Sequence, residues 1–370
     1  MAQYMNRIDR LRERLDESRL DGLLVSIPYN RYYVSGFAAD DPQVMEISGF
    51  VLVGRDTRAI LTDGRYATQA RNESPDFQVY VYTADLLPTF QEAVSKANIR
   101  RLGIESRHLS VYLFDKLSEG LGQKNVELVK TEDVVEPLRS IKDPDELDRV
   151  VAALRVTEKA FKEVLEQLRP GMTEREVASM IESAMTASGA QGVAFDSIVA
   201  SGPNAAMPHA VPTDRNIREG EPIIFDIGAR KDMYCSDMSR TVFLGEPDER
   251  FREIYGIVRK AQLRAIEGLK PGMKTDEADA LARDVIDQAG YGEFFLHSLG
   301  HGVGIATHEP PSLRRIFPVE LTENMVITIE PGIYLPEWGG VRLEEMVVIR
   351  KNGAELLNEE KTFYRFDEER

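Results

Sequence analysis

The chain repeats itself, and that repeat limits its fold more than any other feature. Leu168-Arg-Pro-Gly171-Met-Thr returns as Leu269-Lys-Pro-Gly272-Met-Lys, an interval of 101 residues (272 − 171). Ser188-Gly189 returns as Ala289-Gly290 at the same interval. The apolar run Pro222-Ile-Ile-Phe-Asp226 is answered by Met325-Val-Ile-Thr-Ile-Glu330, 104 residues on (330 − 226). Helix-stop signals are common singly, but three matches in register describe two copies of a helix–helix–strand–strand unit. Each copy sets a carboxylate at the end of an apolar strand and a second one shortly after. These are Asp226 and Asp237 in the first copy, Glu330 and Glu344 in the second. Packed about a pseudo-twofold axis, the copies aim all four acids at one point.

A carboxylate on a buried strand is costly unless it is paired or protonated. One such acid is readily explained as a cap or a hydrogen-bonded turn. Four repeating in register call for cations. Two divalent ions balance four carboxylates, and a bridging hydroxide and one imidazole complete the shell. Hard oxygen ligands with one imidazole suit manganese or cobalt first, then iron or zinc, and the absence of thiolates argues against a structural zinc. The imidazole comes from a short list of five histidines. His297, His301 and His308 lie close together, with His301 inside Gly300-His301-Gly-Val-Gly304, where backbone can approach a ligand closely. His209 follows the turn-rich Gly202-Pro-Asn-Ala-Ala-Met-Pro, 99 residues before His308 (308 − 209). Cys235, two residues before Asp237, reads as packing rather than as a ligand or nucleophile.

The first part of the chain alternates helix and strand signals. Met5, Ile8, Leu11 and Leu15 recur at helical spacing. Short apolar runs at 22–27, 49–53, 58–61, 78–82 and 102–105 read as strands, and 85–97 reads as a helix. No G-x-G-x-x-G follows a strand, so a dinucleotide role has no support. The sequence therefore predicts an N-terminal α/β domain, residues 1–138, ahead of a duplicated domain, residues 139–370. The second begins on a clear helix start: Asp143 caps, Pro144 takes the first helical position and Glu146 stands three after the cap. Thr173 and Glu176 form a second capping box.

A formal charge of −16 repels phosphate backbones and anionic lipids, so no nucleic-acid or membrane-surface partner is expected. One cysteine rules out a disulfide scaffold and fits a reducing compartment. The first residues lack an apolar signal core, and no run reaches the roughly 18 apolar residues that cross a bilayer. A cytoplasmic location is expected.

Six stretches resemble the metal-dependent prolidase and aminopeptidase P family. They are Asp226-Ile-Gly, Tyr234-Cys-Ser-Asp237-Met-Ser-Arg240-Thr, Gly300-His301-Gly-Val-Gly, Thr307-His308-Glu, Thr328-Ile-Glu330-Pro-Gly-Ile-Tyr and Gly340-Val-Arg342-Leu-Glu344-Glu. Strong similarity covers about 140–350, with weaker echoes at Tyr32-Tyr-Val-Ser-Gly-Phe and Leu61-Thr-Asp-Gly-Arg-Tyr66. The resemblance implies an α/β (α+β) chain with a creatinase-like N-terminal domain and a pseudo-symmetric pita-bread catalytic domain. It implies two divalent metal ions held by Asp226, Asp237, His301, Glu330 and Glu344, with Asp237 and Glu344 bridging. It further implies that His209 and His308 line the substrate, that Glu330 also moves a proton, and that Arg342 braces the acids. The implied partner is a proline-containing di- or oligopeptide, and the implied assembly is a homodimer in which the segment Ala38–Met45 caps a neighbour's site. Ser312 stands where dipeptide-specific members often carry arginine; Met233 and Glu345 are smaller departures.

The bond before proline is a tertiary amide without an N–H, and general peptidases handle it poorly. A dedicated Xaa–Pro peptidase is thus the leading expectation. Its rivals on the same scaffold are a hydrolase of a small non-peptide amide or amidine, and a non-catalytic binding relative.

Overall fold

The computed structural model describes residues 2–41, 43 and 45–364. Pro42 and Val44, inside the segment expected to cap a neighbour, lie outside the described residues. The chain divides into two units, Met1–Arg139 and Ser140–Arg370.

The first unit runs α1 (Ala2–Glu17), β1 (Gly22–Val25), α2 (Pro28–Ser35), β2 (Gly49–Gly54), β3 (Arg58–Asp63), α3 (Ala67–Glu73), β4 (Gln78–Tyr82), α4 (Leu87–Lys96), β5 (Arg101–Glu105), α5 (Val111–Gly122) and β6 (Glu127–Thr131). Its strands form one mixed sheet in the order β4-β3-β2-β1-β5-β6. β1 pairs antiparallel with β2 and parallel with β5. Both faces of β2 are buried, so it reads as a continuous apolar run rather than an alternating one. Leu24, Phe50, Leu52, Leu61, Phe90 and Ile104 form the core on one side. Arg31 is wholly buried and clasps Asp41 at 2.8 Å.

After a short helix, α6 (Glu136–Ser140), the second unit opens on α7 (Pro144–Leu165) and α8 (Glu174–Ala187). Both start as the sequence predicts. Asp143 accepts from Glu146 N at 2.9 Å while Glu146 accepts from Asp143 N at 3.0 Å. Thr173 and Glu176 exchange the same pair of bonds. The strands β7 (Gly192–Val193), β8 (Ile198–Ser201), β9 (Pro222–Ile227), β10 (Ala229–Lys231), β11 (Tyr234–Cys235) and β12 (Met238–Phe243) complete the first copy. The second copy holds α9 (Glu249–Gly268), α10 (Thr275–Gln288), β13 (Gly300–Gly302), β14 (Glu309–Leu313), β15 (Val326–Ile329), β16 (Gly332–Leu335), β17 (Gly339–Arg342), β18 (Glu345–Arg350) and β19 (Gly353–Leu356).

The duplication survives at the level of single hydrogen bonds. Gly171 N donates to Ile217 O at 2.9 Å, and Gly272 N donates to Leu321 O at 2.8 Å. Ile217 N returns to Met172 O as Leu321 N returns to Met273 O. The two intervals are the 101 (272 − 171) and 104 (321 − 217) read from the sequence. Gly171 and Gly272 adopt φ of +92° and +84°, a region costly for residues with a Cβ, which is why both copies keep glycine there. The α10 start departs from the pattern. Lys274 offers no acceptor, so only the bond from Lys274 N to Glu277 remains. Each copy has its own apolar core, around Phe161, Phe225 and Ile227 in the first and Phe251, Ile327 and Val347 in the second. Strands β8, β9 and β12 form one antiparallel sheet; β14, β13, β15, β18 and β19 form another.

Candidate metal centre

Strand alternation explains how acids come to lie inside. Ile223, Phe225 and Ile227 of β9 face the first core, so Asp226 points to the other face, with Ile224. β12 lies antiparallel with Ser239 opposite Asp226, which brings Asp237, just before that strand, to the same end. In the second copy Glu330 follows the last residue of β15, and Glu344 lies between β17 and β18. The copies are stitched here by side chains and backbone. Glu344 N donates to Ser239 O at 3.0 Å, and Thr241 Oγ1 donates to Arg342 O at 2.8 Å.

Four of the five residues meet, and Asp226, held by Arg342, acts electrostatically on Asp237. Ligand atoms of Asp237, His301 and Glu344 all lie within 4.8 Å of one another. His301 Nε2 is 3.3 Å from Glu330 Oε1 and 3.6 Å from Asp237 Oδ2. Arg342 Nη2 donates to Asp226 Oδ2 at 2.6 Å. His301 Nδ1 lies 3.1 Å from the Gly302 carbonyl; donating there leaves Nε2 as a bare acceptor aimed at the acids. Thr328 Oγ1 donates to Glu330 Oε1 at 3.1 Å, and Ser239 Oγ donates to Glu344 Oε2 at 2.9 Å.

The remaining oxygens go unanswered. Asp226 Oδ1 and Glu344 Oε1 are buried without a hydrogen-bond partner, a costly state for a carboxylate unless a cation completes it. Burial, followed by repulsion from Glu344, Asp226 and Glu330, lifts Asp237 well above the usual carboxylate range. Burial likewise raises Glu344, and pushes Glu330 up to about 8. Burial, with His308 close by, drives His301 down to about 3. Each group resists the charge that another would impose on it. A set of hard oxygens with one neutral imidazole, short of positive charge, fits divalent ions.

The other predicted residues lie around this centre. The His308 ring meets that of His301 edge-on, with centroids 4.1 Å apart, and stays open to solvent. His209 is exposed in the loop after β8 and acts electrostatically on His308. His297 turns away, its Nε2 2.8 Å from Tyr334 Oη and its Nδ1 2.9 Å from Ser298 O. Cys235 is buried and donates to Ile305 O at 3.5 Å.

Sequence reasoning missed Tyr334, Ser239 and Thr328. Arg342 reaches four acceptors: Asp226, Tyr334 Oη at 2.8 Å, Ser239 Oγ at 2.9 Å and Pro208 O at 3.1 Å. Tyr334 is thereby tied to the acids, though a tyrosine in a strand reads as packing. Thr328 is a polar residue on an otherwise apolar strand, and that was the available signal; Ser239 stands beside Arg240 and Thr241 on β12 and gave none.

A duplicated pita-bread unit with a buried knot of acids at its seam defines a metal-dependent hydrolase. The profile of metallopeptidase family M24 matches residues 148–351, and that of the creatinase/prolidase N-terminal domain matches residues 7–141. The chain belongs to metallopeptidase family M24 and is a metallopeptidase. The Xaa-Pro dipeptidase of Pyrococcus furiosus is 38% identical over 351 residues, 95% of this chain and 97% of that protein. The solved Xaa-Pro dipeptidase from Bacillus anthracis superposes with a TM-score of 0.90 at 36% identity, covering 96% of this chain and 98% of its own. The X-Pro aminopeptidase from Thermotoga maritima gives a TM-score of 0.84 at 37% identity, covering 95% and 97%. Among the described residues, no helix is long and apolar enough to cross a membrane.

Proposed function

We propose that the chain hydrolyses the peptide bond preceding proline, with Asp226, Asp237, His301, Glu330 and Glu344 holding two divalent ions, manganese or cobalt first. The observation that carries this reading is the convergence of Asp237, His301 and Glu344 within 4.8 Å, with unanswered oxygens on Asp226 and Glu344 beside them. Such ions, when bound, polarise the scissile carbonyl and lower the pKa of water from about 15.7 toward neutrality.

The chain's own groups do the rest. Arg342 fixes Asp226 and offsets part of the cluster's negative charge. Glu330 takes the proton of the attacking water and returns it to the imino nitrogen that leaves. Its Oε1 already faces Thr328 and His301, so Oε2 is the oxygen for that transfer. His209 and His308, open to solvent beside the centre, bind the substrate and steady the oxyanion. Ser312 pairs across the strands with His301, and no arginine occupies that register to demand a free carboxylate one residue beyond the bond.

The family resemblance supports a homodimer built through the N-terminal unit. The single buried cysteine supports a cytoplasmic setting.

The test loads the chain with Mn²⁺ or Co²⁺ and offers an Xaa–Pro dipeptide and a longer peptide beginning Xaa–Pro, with and without chelator. Chelator-sensitive cleavage at the Xaa–Pro bond is expected, and the longer peptide decides between dipeptidase and aminopeptidase. Metal bound without cleavage of either would transfer the assignment to a non-peptide hydrolase.

A further inference from the structure

We infer that Glu174 is the positioning residue for His209: one buried carboxylate holds both ends of the loop that carries the imidazole. The inference rests on His209 acting on substrate, as proposed above. Glu174 is the first residue of α8 and is wholly buried. Its Oε1 accepts from Ser201 N at 2.7 Å and Ser201 Oγ at 2.9 Å, at the end of β8 where the loop departs. Its Oε2 accepts from Thr213 N at 3.1 Å and Thr213 Oγ1 at 2.7 Å, where the loop returns. Asn204 Nδ2 bridges the two oxygens at 3.2 and 2.9 Å. Midway, Pro208 O accepts from Arg342, the guanidinium that also holds Asp226, and His209 is the next residue. The loop is thus suspended from three points, two of them on one carboxylate and the third on the metal cluster's own brace.

The duplication supplies an internal control. At the matching position of the second copy, 101 residues on (275 − 174), stands Thr275. The backbone bond is conserved: Glu174 N donates to Arg215 O and Thr275 N to Val319 O. Thr275 Oγ1 accepts one further bond, from Val319 N at 3.1 Å. Joining the helix start to the neighbouring segment therefore needs no carboxylate. What the carboxylate adds is confined to the copy whose loop bears His209. The His308 loop is tied differently, with Glu309 accepting from Ala306 N at 2.9 Å and from Lys142 at 3.2 Å.

Every partner of the Glu174 carboxylate is a donor, so only an acceptor at both oxygens suits the site. Glu174→Gln keeps the shape but turns an NH₂ toward donors at one end of the loop. On an Xaa–Pro dipeptide with Mn²⁺, kcat/KM of this variant should fall about 10²-fold, as misplacement of a positioned group by an ångström does. The decisive measurement is the cycle with His209→Ala. In that background Glu174→Gln should cost no more than roughly twofold, because the two act as one unit. An equal loss in both backgrounds would overturn the inference.

Hydrogen exchange gives a second reading that needs no turnover. Amides of 202–213 should exchange faster in Glu174→Gln while those of β9 and β12 do not change; unchanged exchange in the loop overturns the inference. Failure of the wild-type chain to cleave Xaa–Pro would remove the proposed activity and leave this exchange result to stand or fall alone. Should Glu174→Gln not fold, Thr213→Val removes one donor with little change of shape. Its loop exchange should rise and its kcat/KM fall about tenfold; wild-type values for both would refute the role.

Discussion

Asp237→Asn should make the metal-free protein more stable while abolishing activity. Asp237 is 4% exposed, and Glu344 and His301 approach it within 4.8 Å. Two unit charges 4.8 Å apart repel by roughly 3 kcal/mol at an effective dielectric of about 20. The acids of the cluster relieve part of this by holding protons, so the gain from removing one is about 1–2 kcal/mol. For a unit of this size that is a rise of about 3–6 °C in Tm. Bound ions reverse the order. At a hundred times the dissociation constant an ion adds about 2.7 kcal/mol to the wild type, and the variant, short of a ligand, gains far less. The assay is thermal unfolding of both proteins at pH 8, first with chelator and then with Mn²⁺. The melting curves should cross over: the variant melts higher when stripped, the wild type when loaded. A stripped variant that melts below stripped wild type, or an equal gain from Mn²⁺ in both, would refute the electrostatic account.

Two further perturbations probe regions the metal does not touch directly. Burial pushes Glu105 up to about 7 although it accepts from Ile27 N at 2.7 Å and Ser26 N at 2.5 Å. Its raised pKa makes its contribution full below the ordinary 4.5 and lost as pH rises through 7, a span (7 − 4.5) that costs the N-terminal unit about 3 kcal/mol. Hydrogen exchange of β1 and β5, corrected for intrinsic rates, should show that loss between pH 5 and 8, and Glu105→Gln should flatten it. Gly300→Ala places a Cβ on the carbonyl oxygen of Thr328, backbone that cannot yield without opening β13 from β15. A cost of about 2–3 kcal/mol in urea unfolding is expected, with weaker Mn²⁺ binding in a titration because His301 moves with it.

The parts of this molecule that could be read from sequence are those where one residue type is forced. Gly171 and Gly272 sit at positive φ, so the copies announce their register. Asp143 with Glu146 and Thr173 with Glu176 mark helix starts because few pairs can satisfy the first N–H groups reciprocally. The four acids stood out because the repeat sets one at or just past the end of an apolar strand in each copy, Asp226 and Glu330, and a second shortly after, Asp237 and Glu344. Helix α5 was not: Val111 and Tyr112 are 76% and 75% exposed, which blurs its apolar stripe. Glu174 was equally hidden. At the first position of a helix an acid reads as a dipole partner, and its five donor groups come from residues 27, 30 and 39 positions away. Ser239 meets Arg342 across the seam between copies, 103 residues apart in sequence, and Tyr334 reaches Asp226 only through that same guanidinium, links that local spacing does not encode.

That seam has a consequence for how the enzyme comes into being. Each copy contributes two acids, so a half-finished chain presents a pair of carboxylates and nothing to clamp them against. On the ligand set proposed above, ions would be captured in full only once both copies have docked, which would make cation uptake a seal set on completed assembly. A partly folded molecule would then lack a complete centre, and excess metal would not supply the ligands of a second copy that has failed to close.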